Sequence, residues 1–290
     1  MKVLVAHNRY RSELPSGENV AVDEEISALA EAGVQVVPYL RSSDEIPRLP
    51  PLRKAAVPFL PIHSPAAVAD VRRLVGEHRV DVLHLHNPYP FISLSVVRAA
   101  HDLGVPVVVT LHNHRHSCVR GSYFRDGHAC TLCQGRTVPW PAVQHGCYRD
   151  SRVQSVPMVA ALAVHRRDQR AVDRWIALSD PVAESIVASG LTTPERVVVR
   201  PNSVRDPGPA GPPGRGLLFV GRLTAEKGVP VLLDAWERAG RPFGTLTIVG
   251  EGPSADLAAA AARDDRSVRV LGRLDPAAVA AEIRSAAVVV

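Results

Sequence analysis

Residues 217–236, LLFVGRLTAEKGVPVLLDAW, contain the pattern that decides the fold. The apolar run Leu217–Val220 predicts a buried strand, and the glycine directly after it predicts a tight turn. Glu226, Lys227 and Gly228 then precede a segment whose apolar residues have helical spacing. A strand, a loop and a helix in this order belong to a β–α–β unit, and such units build parallel sheets.

The alternation of strand and helix continues from this segment to the end of the sequence. Apolar runs predict further strands at Leu246–Val249, Val268–Leu271 and Val288–Val290. Helical spacing predicts helices at Val229–Ala239, Ser254–Ala262 and Pro276–Ser285. A buried strand at a terminus needs a following segment to cover the sheet, so we expect the sequence to be truncated and the second sheet to be incomplete. A small half-sheet domain that ends at Val290 is the alternative.

The first 203 residues follow the same pattern. Apolar runs predict strands at Lys2–Ala6, Val34–Tyr39, Val80–His84, Val105–Leu111, Trp175–Leu178 and Val197–Val199. Helical spacing predicts helices over residues 18–32, 65–78, 91–103, 153–172 and 181–189. Residues 41–62 carry no clear period and are predicted to be loop with short pieces of structure. Residues 113–150 form an insertion rich in cysteine and histidine.

A break in composition separates two domains. Residues 204–216 are dense in proline and glycine, which is typical of an interdomain linker. We therefore predict an α/β protein with two Rossmann-like parallel-sheet domains, over residues 1–203 and 217–290. The length of 290 residues suits two α/β domains better than one.

Composition excludes several classes of protein. With 46% hydrophobic and 22% charged residues, the chain is neither disordered nor collagen-like. No apolar run approaches the roughly 20 residues that span a bilayer, and His7 and Arg9 follow the first short apolar run at once. We therefore expect a cytoplasmic protein, and peripheral attachment to the inner face of the membrane stays open. The net charge of +5 is spread along the chain, which argues against a nucleic-acid partner.

Loops at the carboxyl ends of parallel strands hold the candidate site, because ligands of open α/β sheets bind there. Arg222 and Lys227 place two cations beside a predicted helix N-terminus, which suits a diphosphate. A solvated basic loop is the alternative. Gly221, Gly250 and Gly252 lie in the loops after two neighbouring strands. Such glycines let a ligand approach the backbone closely, or they serve turn geometry alone.

Several segments in a fixed order resemble the family 4 glycosyltransferases of GT-B fold. In the second domain these are FVGRLTAEKGVPVLLDAW, LTIVGEGP and VRVLGRL, and in the first domain they are VDVLHLHN, VVVTLHN, ALSDPV and VVVRPNSV. The resemblance implies two Rossmann-like domains and transfer of a sugar, with retention of configuration, from a nucleotide-diphosphate sugar. It implies a UDP- or GDP-sugar donor, a glycan, lipid or small-molecule acceptor, and a role in the synthesis of cell-surface polysaccharides or glycoconjugates.

The resemblance also assigns roles to particular residues. Arg222 and Lys227 are expected to bind the donor diphosphate and to stabilise the leaving group, and His112 is expected to face the sugar and the acceptor. Gly17 is expected near the phosphate or the acceptor, and Asn202 at the domain junction. With two cations at the diphosphate, catalysis is expected to need no metal ion. A pair of donor-binding glutamates is expected beyond the end of the sequence, so we expect little or no transferase activity from these 290 residues.

All four cysteines, Cys118, Cys130, Cys133 and Cys147, lie in the insertion. The spacing of Cys130 and Cys133 is half of a zinc-knuckle pattern. Disulfides are not expected in a reducing cytoplasm. The thiols therefore either bind a structural zinc ion or stay free.

The residues leave other functions open beside the transferase. A non-catalytic protein that binds nucleotide sugars or glycans would share the basic loop. A nucleotide-sugar epimerase has the same kind of fold but uses a different set of carboxylates. A zinc-dependent nucleic-acid module is supported only by the charge and the cysteine spacing, and its mark would be a steep salt dependence of binding.

Overall fold

The computed structural model describes residues 1–13, 16–204, 214–241 and 243–290. These residues divide into two compact units, one with residues 1–125 and 129–204 and the other with residues 126–128 and 214–290. Most of the predicted linker, residues 205–213, lies outside the described residues.

Residues 1–204 contain eight of the strands and eight of the α-helices that the structure describes. The strands are β1 (Lys2–Arg9), β2 (Gln35–Ser42), β3 (Val82–Leu85), β4 (Val107–Leu111), β5 (Phe124–Arg125), β6 (His128–Ala129), β7 (Arg174–Ala177) and β8 (Val197–Val199). The α-helices are α1 (Gly17–Glu31), α2 (Pro51–Ala56), α3 (Pro65–His78), α4 (Ser95–His101), α5 (Pro141–Gln144), α6 (Arg152–Val164), α7 (Arg166–Ala171) and α8 (Asp180–Ala188). Short 3₁₀ helices cover Ser43–Arg48, Val57–Phe59 and Pro194–Arg196.

Six of these strands form one parallel sheet in the order β2-β1-β3-β4-β7-β8. Strand β1 is buried on both faces of the sheet. Its successive side chains point to opposite sides. Val3 and Val5 pack with Val22 of α1, whereas Leu4 and Ala6 belong to the larger core on the other side. Helices therefore pack on both faces of the sheet, as in doubly wound α/β proteins.

The structure corrects several predicted boundaries in this sheet. Strand β1 extends through His7, Asn8 and Arg9, which the sequence predicted as loop, because it pairs with β2 along its whole length. By contrast, residues 41–62 contain the end of β2, α2 and two 3₁₀ helices, which agrees with the predicted loop with short pieces of structure. The predicted strand Val80–His84 is instead β3, which begins two residues later and includes His84.

Two predicted helices differ from the observed ones. The helix predicted over residues 91–103 begins only at Ser95, since the amides of Ile92 and Ser93 donate to the Pro88 carbonyl in a preceding turn. The helix predicted over residues 153–172 is two helices, α6 and α7, which meet at His165. The His165 ring bonds to Asp168 and to the Ile62 carbonyl, and these bonds hold the junction in place.

Residues 214–290 form the second parallel sheet. Its strands are β9 (Leu217–Val220), β10 (Leu246–Val249), β11 (Val268–Gly272) and β12 (Val288–Val289), in the order β11-β10-β9-β12. Its helices are α9 (Val229–Arg238), α10 (Ala255–Asp264) and α11 (Pro276–Ser285), and a 3₁₀ helix covers Ala225–Lys227. The core contains Phe219, Leu223, Trp236 and Ile248. Two parallel sheets with helices packed on them confirm the predicted fold class.

The insertion at residues 113–150 has little regular structure. It holds the two-residue strands β5 and β6 and the short helix α5. Among the residues that the structure describes, no helix combines the length and hydrophobicity that a bilayer crossing needs.

Candidate functional site

Four histidines meet at the carboxyl end of the first sheet. His7 lies near the end of β1, His84 in β3, and His86 and His112 directly after β3 and β4. The ring of His86 is central, with centroids 4.3 Å from His84, 5.2 Å from His112 and 6.1 Å from His7. These residues are neighbours because β1, β3 and β4 are adjacent and parallel, so their carboxyl ends share one edge.

His86 and His112 are joined by a hydrogen bond of 2.9 Å between His86 Nδ1 and His112 Nε2. Burial lowers the pKa of His86 well below its ordinary value, and the other histidines of the cluster lower it further. Burial also lowers the pKa of His112 to about 4, with a further contribution from His7. Both rings are therefore neutral at neutral pH, so one ring donates and the other accepts. This bond orients His112, the residue predicted to face the sugar and the acceptor.

The other two histidines are bonded through both ring nitrogens. His84 Nδ1 lies 3.1 Å from a carboxylate oxygen of Glu25, and His84 Nε2 lies 2.8 Å from the Thr110 hydroxyl. Burial raises the pKa of Glu25, but the hydrogen bond from His84 and the charges of nearby basic residues together lower it below its ordinary value. His7 Nε2 bonds to the Asn19 side chain, and His7 Nδ1 accepts from the Asn87 amide. His86 differs, because its Nε2 is buried and has no hydrogen-bond partner among the described residues.

A pocket opens beside His112. Its lining includes Glu18 from the first turn of α1, Tyr89 from the segment after β3, and Asn113 and Arg115 from the segment after β4. Oε2 of Glu18 accepts hydrogen bonds from the Tyr10 hydroxyl and from the Asn113 amide. Burial raises the pKa of Glu18 to about 7, although the charge of Arg115 opposes this rise.

Sequence reasoning missed Glu18, Tyr89 and Arg115 as site residues. Glu18 follows Gly17 directly in the first turn of α1, and Arg115 follows the TLHN segment by two residues, so both are close in sequence to predicted site residues. The sequence predicted no catalytic role for His84 or His86. The structure buries both of them, with 6% and 1% of their surface exposed.

Gly17 and Asn202 are exposed. Gly17 is the first residue of α1, which Ser16 caps by accepting from the Asn19 amide. A Cβ at Gly17 would meet no atom of the described residues within 4 Å, so packing against them does not require glycine at this position. Asn202 lies three residues after the end of β8, outside the helices and strands. Their predicted roles towards ligands stay predictions.

In the second unit, the loops after β9 and β10 pack against each other through their backbones. The Leu223 amide donates to the Glu251 carbonyl at 2.9 Å, and the Ser254 amide donates to the Leu223 carbonyl at 2.8 Å. A Cβ at Gly250 would lie 1.8 Å from the Gly221 carbonyl oxygen, and one at Gly252 would lie 2.5 Å from the Leu223 carbonyl oxygen. Close packing of the two loops therefore accounts for both of these glycines.

Arg222 and Lys227 lie on the exposed surface of the loop that leads into α9. Arg222 pairs with Glu226 at 3.2 Å, and 62% of its side chain stays exposed. Gly228, with a φ of 78°, ends the 3₁₀ turn and begins α9 without a side-chain cap. The uncapped N-terminus leaves backbone N–H groups for an anion, and the two cations lie in the same short loop.

The four cysteines of the insertion are free thiols. Burial raises the pKa of Cys133 to about 11, and Cys118, Cys147 and Cys130 raise it further. In the described parts of the chain, no three of the sulfurs lie within 4.8 Å of one another. The predicted zinc site therefore stays a prediction.

Acid is expected to destabilise the first unit through its buried histidines. The pKa of His112 falls from 6.5 in the unfolded chain to about 4 in the folded protein, so the unfolded chain binds a proton more readily. The free energy of unfolding is therefore unaffected by His112 above pH 6.5 and decreases as the pH falls towards 4. That loss corresponds to about 3 kcal/mol. Urea unfolding between pH 7 and pH 4 should show a shallower pH dependence in His112→Gln. The exposed His63→Gln serves as control, and equal slopes in both variants would contradict the assignment.

Comparison with protein families gives two matches. Residues 16–203 match the model of the glycosyl transferase 4-like domain, and residues 214–290 match that of the glycosyl transferases group 1. A phosphatidyl-myo-inositol mannosyltransferase of Mycobacterium leprae (strain TN) is 31% identical over 229 residues, which cover 77% of this chain and 51% of that protein. The chain thus spans about half the length of this curated relative.

Solved structures support the fold. The apo form of the lipopolysaccharide outer core galactosyltransferase WaaB matches with a TM-score of 0.55 at 16% identity, over 100% of this chain and 73% of that chain. A complex of S. aureus MnaA with UDP matches with a TM-score of 0.50 at 12% identity, over 99% of this chain and 73% of that chain. These likenesses concern the fold alone and confirm the predicted GT-B class.

The model of the glycosyl transferase 4-like domain covers residues 16–203 of 290, which is more than half of the sequence. The segments that carried the resemblance lie inside the two matched regions, except for Val204 at the end of VVVRPNSV. The chain therefore belongs to the glycosyl transferase 4-like family.

Proposed function

We propose that the protein transfers a sugar from a UDP- or GDP-sugar to a hydroxyl group of a glycan, lipid or small-molecule acceptor, with retention of configuration. The observation that carries this proposal is the pair Arg222 and Lys227 in the loop that leads into the uncapped helix α9. Membership of the glycosyl transferase 4-like family supports the same reaction. A role in the synthesis of cell-surface polysaccharides or glycoconjugates is part of the proposal.

The basic loop is proposed to bind the diphosphate of the donor. Negative charge grows on the diphosphate as the bond from the sugar C1 to the phosphate oxygen breaks. Arg222, Lys227 and the first N–H groups of α9 supply positive charge and donors that stabilise this leaving group. With these groups in place, the reaction is proposed to need no metal ion.

The acceptor hydroxyl is proposed to attack C1 from the face that the diphosphate leaves, which retains the configuration. A new bond forms between the acceptor oxygen and C1, and the hydroxyl proton passes to an oxygen of the departing diphosphate. The transition state has oxocarbenium character, as in glycoside cleavage. His112 is proposed to contribute a hydrogen bond from a neutral ring, since its pKa is lowered to about 4.

The relatives support parts of the proposal. The Mycobacterium leprae relative is a phosphatidyl-myo-inositol mannosyltransferase, which supports transfer of a hexose to a lipid-linked acceptor. The complex of MnaA with UDP supports a uridine nucleotide as one form of the donor. A non-catalytic protein that binds nucleotide sugars is the second candidate, because a basic loop beside an uncapped helix N-terminus serves binding as well as turnover.

Turnover and binding distinguish these two candidates. The purified protein is incubated with UDP-glucose or GDP-mannose and a set of hydroxylated acceptors, and bound donor and released nucleotide are both measured. Release of UDP or GDP that depends on the acceptor supports the transferase. Donor binding without release favours the second candidate. A folded protein that binds neither nucleotide sugar would contradict both.

We also propose that the four cysteines of the insertion bind one structural zinc ion. Their thiols are free, and each of Cys133 and Cys147 has its pKa raised by burial and by neighbouring cysteines. A zinc ion would stabilise four such groups as thiolates. Binding requires the sulfurs to approach more closely than they do in this structure.

Metal analysis tests this zinc proposal. Protein purified without added metal is expected to contain about one zinc ion per chain, because four thiolates complete the coordination of one structural zinc ion. Cys133→Ser is expected to lose the zinc, whereas His128→Gln, an exposed histidine beside Cys130, is expected to keep it. A folded, metal-free protein whose four thiols all react with a thiol reagent would contradict it.

A further inference from the structure

We propose that Glu25, His84 and His86 form a binding site for a divalent transition metal ion such as Zn²⁺. Glu25 lies in α1, His84 in β3, and His86 directly after β3. One side-chain oxygen or nitrogen of each residue lies within 4.8 Å of those of the other two, and no other such group of three occurs in the described parts of the chain. The inference goes beyond the proposed sugar transfer, since no step of that reaction uses this site.

The fold brings these three side chains to one face of the first sheet. His84 and His86 are two residues apart along an extended segment, so their side chains project from the same face. In the parallel pairing of β1 with β3, His84 is the partner of Val5, and Val5 packs with α1. Helix α1 therefore covers this face, and its Glu25 side chain reaches His84.

The distances suit a metal ion with nitrogen and oxygen ligands. His84 Nδ1 lies 3.1 Å from Oε1 of Glu25, and the ring centroids of His84 and His86 are 4.3 Å apart. Zinc binds histidine nitrogen and carboxylate oxygen at about 2.0–2.2 Å, so two ligands of a tetrahedral ion lie about 3.4 Å apart. The metal ion would take the place of the proton between His84 and Glu25, and it therefore needs no large cavity.

Each histidine of the site has an outer partner on one ring nitrogen. His84 Nε2 lies 2.8 Å from the Thr110 hydroxyl, and His86 Nδ1 lies 2.9 Å from His112 Nε2. Such outer hydrogen bonds orient the rings of metal-binding histidines. His86 Nε2 is buried and has no partner among the described residues, and only 1% of the His86 surface is exposed. A metal ion would supply the partner that this ring lacks.

The types of ligand select the class of metal. A metal ion binds carboxylate and unprotonated imidazole, and the lowered pKa values of Glu25 and His86 keep both groups in these forms at neutral pH. Two imidazoles and one carboxylate suit zinc or cobalt, whereas Mg²⁺ and Ca²⁺ prefer oxygen ligands alone. The Glu25 side chain is 23% exposed, which gives the ion a route from solvent.

The test titrates the full chain with Co²⁺ and follows the absorption spectrum. Cobalt accepts the same nitrogen and oxygen ligands as zinc, and its spectrum reports which ligands it has. Thiolate ligands give an intense sulfur-to-cobalt charge-transfer band, which distinguishes the four cysteines of the insertion from this site. Cobalt at Glu25, His84 and His86 is expected to show visible d–d absorption without the charge-transfer band.

Variants assign the cobalt to these residues. Glu25→Gln keeps a hydrogen-bond acceptor for His84 but removes the charged ligand. It should lower the affinity for this cobalt ion about 100-fold or more, because loss of even an outer partner of a metal ligand costs about 10- to 100-fold. His86→Gln should have the same effect. His63→Gln changes an exposed histidine and should leave cobalt binding unchanged, and Cys133→Ser should affect only the charge-transfer band.

Three results would overturn the inference. These are equal cobalt affinity in the wild type and in Glu25→Gln, cobalt absorption that belongs to thiolate ligands alone, and a folded wild-type protein that binds no cobalt. If Glu25→Gln fails to fold, the ring ¹⁵N signals of the wild-type histidines decide, because added Zn²⁺ should shift those of His84 and His86, and unshifted signals would overturn the site. UDP and GDP binding is measured separately and tests the donor proposal by itself.

Discussion

Gly250→Ala is expected to unfold the second unit under conditions in which the wild-type protein is folded. The added Cβ would lie 1.8 Å from the Gly221 carbonyl oxygen, and the φ of 142° at this position is one that side chains rarely adopt. The clashing atom belongs to the backbone of the neighbouring loop, so no side-chain rotation relieves the contact. We expect a loss of about 4 kcal/mol or more, which falls among the largest effects of single substitutions.

Hydrogen exchange measured by mass spectrometry reports this effect for each unit separately. Peptides from β9 and β10 should exchange much faster in Gly250→Ala, whereas peptides from β1 to β4 should be unchanged. Gly244→Ala is the matched control, because Gly244 also has a positive φ, of 78°, but a Cβ there would meet no atom within 4 Å. Its cost is expected to be about 1 kcal/mol from backbone strain alone. Equal protection in the two variants would show that the loops do not pack as described.

The double substitution Arg222→Ala and Lys227→Ala is expected to weaken UDP or GDP binding by about 100-fold or more. Hydrogen bonds to charged groups contribute about 1.5–3 kcal/mol each, and 1.4 kcal/mol corresponds to a tenfold change in affinity. Each single variant should therefore lose about tenfold or more. The ion pair of Arg222 with Glu226 is exposed, so its removal should change the stability of the fold by less than about 1 kcal/mol.

Isothermal titration calorimetry measures this loss. Arg238→Ala is the matched control, since Arg238 also pairs with an acidic residue four positions away, Asp234, on the exposed face of α9. Nucleotide binding should be unchanged in the control. If Arg238→Ala weakened binding as much as the double variant did, a general loss of positive charge would explain the effect and the diphosphate site would lie elsewhere.

Much of the fold was predictable because the inner strands of both sheets, such as β3, β4 and β10, are buried parallel strands. Such strands appear in the sequence as apolar runs, and the second unit follows its predicted strands and helices closely. The errors occur where tertiary contacts override local pattern. His7, Asn8 and Arg9 are polar, yet they extend β1. They do so because they pair with Leu40, Arg41 and Ser42 of β2. His165 interrupts a continuous helical pattern because its ring bonds to Ile62, which is distant in sequence.

The candidate site was predictable only in part. The position of His112 after a buried strand, and of Arg222 and Lys227 before a helix, could be inferred from motifs. The pocket of Glu18, Tyr89 and Arg115 could not, since it depends on unpartnered atoms and burial that only the packed structure reveals. Gly250 and Gly252 show the converse limit, because the sequence left open ligand approach or turn geometry, and only the structure shows that the backbone of the neighbouring loop also requires glycine there.

The most direct test of the account compares nucleoside diphosphates with monophosphates. The purified protein is titrated calorimetrically with UDP, GDP, UMP and GMP at the same ionic strength. The account predicts that one diphosphate binds at least about tenfold more tightly than its monophosphate, because Arg222, Lys227 and the start of α9 contact the second phosphate. Equal affinity for UDP and UMP and for GDP and GMP, or no binding by a folded protein, would contradict a diphosphate site in this loop.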